Sequence, residues 1–484
     1  MPMMGGRRKN VLDDEHIGRL LAKLTIPAFM GMFVMTLYNV VDTIFVGKFV
    51  GTPEEGALAI GGLSIVFPIQ MLSMGIGQMM GMGGASLISR LIGSDNVPRA
   101  EHALGNAFSG TVILSAIVMV VGLSNPDYWL RLMGASDTIL PYSHDYFTII
   151  LYGMFFMTFS MSMNTLIRAE GNARVPMIGM IIGAGLNIVF DAIFIIPLKM
   201  GVAGAALATV IAQLISSIYF LSYHFSGRSF LKIHTRNLII QWGIMKDILA
   251  IGISALAMVV AGSIASIFVN RLLVSYGGDL HIAAFGIIHR IMMFALMPGM
   301  VIGQGLQPIL GFNYGARRFD RALKAIRIGV TYATTISVVA FFILYFSPEP
   351  FIRIFTDDAG LVSVGVYAAK RVFAVMPIIG MMMVGQVIFQ AIGKVIQAIV
   401  TSLARSAIFL LPTVLIFPRF WGIDGIWAAF PITDVLTLVL TLGLMIPLLL
   451  DFRRRSKQQY FDMRNPDSVK NIPLKDFSPR TPGE

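Results

Sequence analysis

Three polar side chains stand inside long apolar runs in the first half of this chain. Asp42 lies in YNVVDTIFVG, and Asn187 and Asp191 lie in GLNIVFDAIFI. A carboxylate near the centre of a bilayer costs about 2.5–3.5 kcal/mol on insertion scales, so each acid should face the protein interior, a water-filled cavity or a cation. Asn187 and Asp191 are four residues apart and share one helical face. An amide oxygen beside a carboxylate can hold a proton by hydrogen bonding or help coordinate a hard cation such as Na⁺. Thr209, in the next apolar run, can add a hydroxyl. Burial makes a carboxyl costlier to ionise, and a second acid nearby makes it costlier still. That is the physical requirement for a proton-coupled switch. Blander readings stand beside these: Asp42 as a helix-end aspartate with Lys48 two turns on, Asn187 and Asp191 as a structural clasp between helices, and Thr209 as an ordinary threonine of a membrane helix.

The second half carries a different set, Arg290, Arg405 and Asp434. Arg405 and Asp434 fall at compatible depths on successive runs and can form an ion pair. Buried pairs are more often structural than functional, and the structural reading is preferred for all three. Arg290, beside His289, is either a counter-ion for Asp434 or a snorkelling side chain.

The elements that must hold these residues are transmembrane helices. Hydrophobic residues make up 56% of the 484 and charged residues only 13%, with mean hydropathy +0.76. Soluble domains carry roughly 25% charged residues, and a helix needs about 20 apolar residues to cross a bilayer. Twelve spans are expected, near 24–48, 59–91, 103–123, 138–167, 175–197 and 202–224, then 247–275, 282–312, 323–346, 361–391, 395–417 and 423–450. There is no cysteine, so neither a disulfide nor a thiolate metal site can form. The net charge of +11 does not point to nucleic acid, because the basic residues sit in short loops and at both ends. That pattern is the positive-inside signature. It places both termini in the cytoplasm of a multi-pass inner-membrane protein.

The two halves repeat at an offset near 222 residues. Gly171 is answered by Gly393, Arg131 by Arg353, and the GVAGAALA run from Gly201 by GIDGIWAA from Gly422. A fixed long offset marks an internal duplication, and duplicated membrane halves are typical of secondary transporters. Only the first copy carries Asp42 and Asp191. The expected organisation is a cytoplasmic segment 1–23, a first lobe 24–226, a basic linker 227–246, a second lobe 247–450 and a disordered tail 451–484. Gly77 and Gly81 form a GxxxG spacing that permits close helix packing. With 32 methionines and 34 phenylalanines, the chain has the flexible and aromatic surface that can accept varied organic cations.

On these residues the chain resembles the multidrug and toxic compound extrusion (MATE) family, over about residues 15 to 450. The likeness rests on Asn39, Asp42 and Val46-Gly47, on LIRAEGNARVPM from Leu166, on Asn187 with Asp191, and on the duplicated twelve-span pattern. The resemblance implies an all-α fold of two six-helix lobes in a V around a central cleft. It also implies antiport of amphipathic, often cationic, organic compounds or drugs against H⁺ or Na⁺, with no cofactor beyond that ion. In the DinF-like branch, an acid in span 1 with an Asn–Asp pair and a Thr in spans 5 and 6 forms the coupling site. Asp42, Asn187, Asp191 and Thr209 match it, and Tyr146 and Asn39 are accessory candidates. The NorM-like branch relies on acids in spans 7 and 10, and here those spans carry no internal acid.

The partners expected are small organic substrates and membrane lipids, with no nucleic acid and no obligate protein partner. The nearest rival is a lipid-linked saccharide flippase, which would favour basic residues such as Arg290 and Arg405 in the cleft. No GxGD, HExxH or GxSxG motif points to an enzyme, and no GxxxxGK[ST] to an ATP-driven pump.

Overall fold

The computed structural model describes residues 10–464 apart from 15 and 50–52. The side chains at 39–40, 43–44, 46–49, 53–61, 64 and 462–464 also lie outside the description. Its elements are helical. In the first lobe these are α1 (Ile17–Phe49), α2 (Pro53–Gly93), α3 (Val97–Ser124), α4 (Leu140–Ala169), α5 (Arg174–Ile195) and α6 (Gly201–Phe225). The second lobe opens with one run, Trp242–Gly315, which breaks at Gly278 (φ 69°) into α7 and α8. Only glycine takes that left-handed turn without strain. After it come α9 (Phe319–Phe346) and α10, whose two pieces Ala359–Val372 and Met376–Ile392 meet at 56°. The last two are α11 (Val395–Leu403, continuing to Ile416) and α12 (Pro418–Arg464, with its own break at Gly422). Read this way, the described residues supply the twelve expected spans.

The cores explain the shape. At the end of the bundle near both termini a single core draws on both lobes, with Leu20, Leu166 and Ile88 packed in the same cluster as Leu306, Ile388 and Phe452. At the opposite end there are two cores. One lies wholly in the first lobe around Phe147, Ile150 and Val202. The other lies wholly in the second, around Leu273, Ile288 and Trp427. Two six-helix lobes joined at one end and parted at the other make a V. Gly77 and Gly81, noted for their spacing, pack α2 against α4 at Thr158, Met161 and Ser162. Their role is therefore internal to the first lobe.

Two expectations about the connecting segments need correction. The tail is not disordered from 451, because α12 continues to Arg464. Phe452 is 1% exposed, Arg455 pairs with Asp451 one turn back, and Gln459 Nε2 donates to the Arg317 carbonyl at 2.8 Å. These contacts hold the helix, while residues 465–484 fall outside the description. The linker, in turn, is shorter than 227–246, a strap that ends where α7 begins at Trp242. Only a short turn, Thr235–Leu238, interrupts it.

The strap is tied down by Glu170, the acid of the LIRAEGNARVPM motif. Ser229 Oγ donates to Glu170 Oε2 at 2.7 Å and the Phe230 N–H at 2.9 Å. Burial pushes the Glu170 carboxyl up from 4.5 to about 7, outweighing the opposite pull of Ser229, Phe230, Leu231 and Tyr223. A carboxyl raised in this way stabilises the fold most fully below pH 4.5, and the contribution drains away as pH rises through about 7. Protection of the strap from protease should therefore decline over that window in the wild type. Glu170→Gln should flatten the decline, and an equal decline in the variant would remove Glu170 as its source.

Candidate functional site

α1, α4, α5 and α6 bring the predicted polar residues of the first lobe together at the parted end of the V. Asp191 is fully buried and Asn187 nearly so. They share the inward face of α5 because four residues make about one helical turn. The carboxyl groups of Asp42 and Asp191 lie at hydrogen-bonding range of each other. Each keeps one buried oxygen, Asp42 Oδ1 and Asp191 Oδ1, with no hydrogen-bond partner among the described residues. Asn39 belongs to the same helix, but its side chain lies outside the described residues.

The Asn187 amide bridges Asp191 and Thr209. Its nitrogen donates to Asp191 Oδ2 at 3.1 Å, while its oxygen accepts from Thr209 Oγ1 at 3.1 Å and from the Thr209 backbone N–H at 3.2 Å. Asp191 Oδ2 accepts this bond whether the carboxyl is ionised or carries a proton on Oδ1. The site thus has the hydrogen-bonding inventory to hold Asp191 in either state.

Tyr146, an accessory candidate from the sequence, is 4% exposed and receives a hydrogen bond from Gln70 Nε2 at 3.1 Å. Tyr146 and Tyr38 both lie within electrostatic range of the two acids. Sequence reasoning missed Tyr38 and Gln70. Tyr38 could have been found, because it stands four residues before Asp42 and so shares its helical face. Gln70 carried a weaker signal, one of two amides, with Gln78, in the apolar stretch of α2.

The second-lobe charges do not join this cluster. Arg405 Nε donates to Asp434 Oδ1 at 2.7 Å and Nη2 to Oδ2 at 3.4 Å. The partner of Asp434 is therefore Arg405, and the counter-ion role considered for Arg290 is not realised. Arg290 is exposed, and no acid partner is recorded for it among the described residues. Arg405 sits in a stretch of wider π-helical winding, Ala404–Leu410. Such a bulge shifts the helical phase locally, which here sets the guanidinium against α12. At the 222-residue offset, Asp42 is matched by Ile264 and Asp191 by Thr413. Thr413 Oγ1 meets Thr433 Oγ1 at 3.1 Å, so an uncharged hydroxyl stands where the first copy has an acid.

Comparison with known proteins finds likeness over most of the chain. The sequence pattern of the MatE family matches residues 27–193 and again residues 249–416, two segments set apart by the same offset. The multidrug export protein MepA of Staphylococcus haemolyticus (strain JCSC1435) is 24% identical over 417 residues, which cover 86% of this chain and 90% of that protein. MepA of Staphylococcus aureus (strain N315) is 24% identical over 419 residues, 86% and 91% of the two chains. Among solved structures, the MATE multidrug transporter DinF-BH in complex with R6G superposes with a TM-score of 0.84 at 38% identity, covering 92% of this chain and 98% of that one. An outward-facing multidrug resistance MATE family transporter of the MOP superfamily superposes with a TM-score of 0.85 at 25% identity, again over 92% and 98%.

Proposed function

We propose a function for this chain from one premise: it belongs to the MatE family. It exports amphipathic, often cationic, organic compounds across the inner membrane in exchange for an inward-moving ion. The observation that carries the coupling step is the pair of acids, Asp42 and Asp191, at hydrogen-bonding range in one lobe only. Two carboxyls this close do not both ionise readily, so one proton can be shared between them. That favours H⁺ over Na⁺ as the co-substrate. A Na⁺ ion would draw on oxygens of Asp42, Asp191, Asn187 and Thr209. The Asn187 oxygen, however, is turned toward Thr209.

The lobes 24–226 and 247–450 then rock about the joined end. Both termini lie on the cytoplasmic side, which the loop charges support. The parted end, with the acids, faces outward. A lipid-linked saccharide flippase gains little support, since Arg405 is engaged by Asp434. The test is efflux of a cationic dye from proteoliposomes under an imposed pH gradient, an imposed Na⁺ gradient, or neither. Efflux driven by the pH gradient alone is the expected result. Efflux driven only by Na⁺ would replace the ion, and no gradient-dependent efflux over a broad dye panel would sink the antiport reading.

A further inference from the structure

The joined end of the V is held by glycines that repeat at the offset of the duplication. A Cβ built on Gly93 of α2 would strike the Phe312 carbonyl oxygen of α8, and one built on Gly315 of α8 would strike the Arg90 carbonyl oxygen of α2. Both contacts fall well inside the 3.0 Å that real Cβ atoms keep. Gly93 and Gly315 are equivalent residues of the two copies, and so are Arg90 and Phe312. The crossing is therefore reciprocal, as in a two-fold interface where residue i meets j and j's counterpart meets i's.

A second equivalent pair flanks it. Gly83 packs on the Ile248 carbonyl of α7, and Gly305 packs on Thr25 of α1, where an added Cβ would fall 2.6 Å from Oγ1. Between these crossings run polar contacts from lobe to lobe. Arg168 Nη1 donates to Gln304 Oε1 at 2.6 Å, Gln307 Nε2 to the Met82 carbonyl at 3.3 Å, and Ser86 Oγ to the Gln390 carbonyl. The helices meet backbone to backbone, where Cα–H groups contact carbonyl oxygens directly. No rotamer change can relieve a methyl group placed at Gly93 or Gly315, because the opposing atoms are main chain.

We propose that Gly93 and Gly315 are positioning residues for transport. They form the pivot on which the end of the molecule carrying the termini seals, with Gly83 and Gly305 as its flanks. The surrounding sequence needs glycine there for closure and not for helix formation. Alanine is the better helix former, so a substitution that perturbs the protein must act through the crossing. A Cβ at the pivot holds the lobes apart at this end and shifts the population toward the state in which it is open. The proposal rests on the transport reading only for its consequence. The geometry itself can be read without any transport.

The chain has no cysteine, so a single reporter carries no background. Ser86 is fully buried in the seal, and Ser86→Cys supplies the thiol. Labelling by a membrane-impermeant maleimide from the terminal side should be slow in the parent. It should be at least tenfold faster after Gly93→Ala or Gly315→Ala, and unchanged after Gly185→Ala, whose Cβ would meet nothing within 4 Å. Unchanged labelling in monodisperse Gly93→Ala and Gly315→Ala proteins would overturn the proposal.

Should the pivot variants not yield folded protein, Gly305→Ala offers the second test. Its nearest clash is with the Thr25 side chain, so it should speed labelling on its own, and the added Thr25→Ala should reverse the effect. Failure of Thr25→Ala to reverse it would also count against the proposal. Because the readout is thiol access, failure of the antiport reading would leave these outcomes unaltered and separately legible.

Discussion

Asp191→Asn should abolish the coupling of efflux to a pH gradient while leaving a folded protein. Asn is nearly isosteric, can still hydrogen-bond Asn187, and removes only the titrating proton. A proton moving down one pH unit releases about 1.4 kcal/mol, a factor of ten in an equilibrium ratio. In sealed proteoliposomes the wild type should hold roughly a tenfold substrate ratio per pH unit and per proton exchanged. The variant should hold a ratio near one. Asp42→Asn should do the same, since the two acids can share one proton. Thr209→Val, which removes a hydroxyl two groups away from the acids, should lower the rate and keep the coupling. Dye distribution at steady state, measured across several imposed gradients, reads the ratio directly. An Asp191→Asn protein that still concentrates substrate in proportion to the gradient would remove this acid from the coupling site.

The second large effect concerns stability. Arg405→Leu should destabilise the protein by about 3–5 kcal/mol, because it strands a charge on an Asp434 that is only 1% exposed. Arg405→Leu with Asp434→Leu should recover most of that loss, since a buried ion pair replaced by apolar side chains of similar volume is often neutral or better. Melting temperatures in detergent, followed by size-exclusion chromatography, would give the order: double variant near wild type, single variant well below. A single variant as stable as wild type would show that Asp434 finds another partner when Arg405 is gone. Exposed Arg290 is the candidate for that role.

The polar residues of the first lobe were legible because the background around them is silent. In an apolar run a carboxylate has few affordable places, and the spacing of Asn187 and Asp191 fixes their common face. Tyr38 obeys the same spacing from Asp42 and was overlooked, since a tyrosine in a membrane helix draws less notice than an acid. The Arg405–Asp434 pair was visible for the same reason as the first-lobe acids. The π-helical stretch that aims Arg405 was not, because nothing in ARSAIFL distinguishes it from an ordinary turn. The seal was hidden more deeply. Gly77 and Gly81 advertise themselves by their spacing, whereas Gly83, Gly93, Gly305 and Gly315 are close-contact sites only through helices more than 150 residues away or in the other copy. The helical end of α12 escaped notice because its support, Arg317 and Phe319, comes from the distant α8–α9 corner.

The reciprocal crossing at Gly93 and Gly315 has a consequence for ancestry. A contact in which each residue meets the partner of its own counterpart is what two identical six-helix subunits would make, and an even number of spans lets both face the same way. In such a pair every substitution appears twice, so an acid gained by one subunit is gained by both. Joining the subunits into one polypeptide breaks that bond between the copies. Asp42 can then stand opposite Ile264, and Asp191 opposite Thr413. One half is free to keep a costly pair of acids while the other remains uncharged at those positions. The strap pinned by Glu170, which joins the halves, is in this sense the element that allowed them to become different.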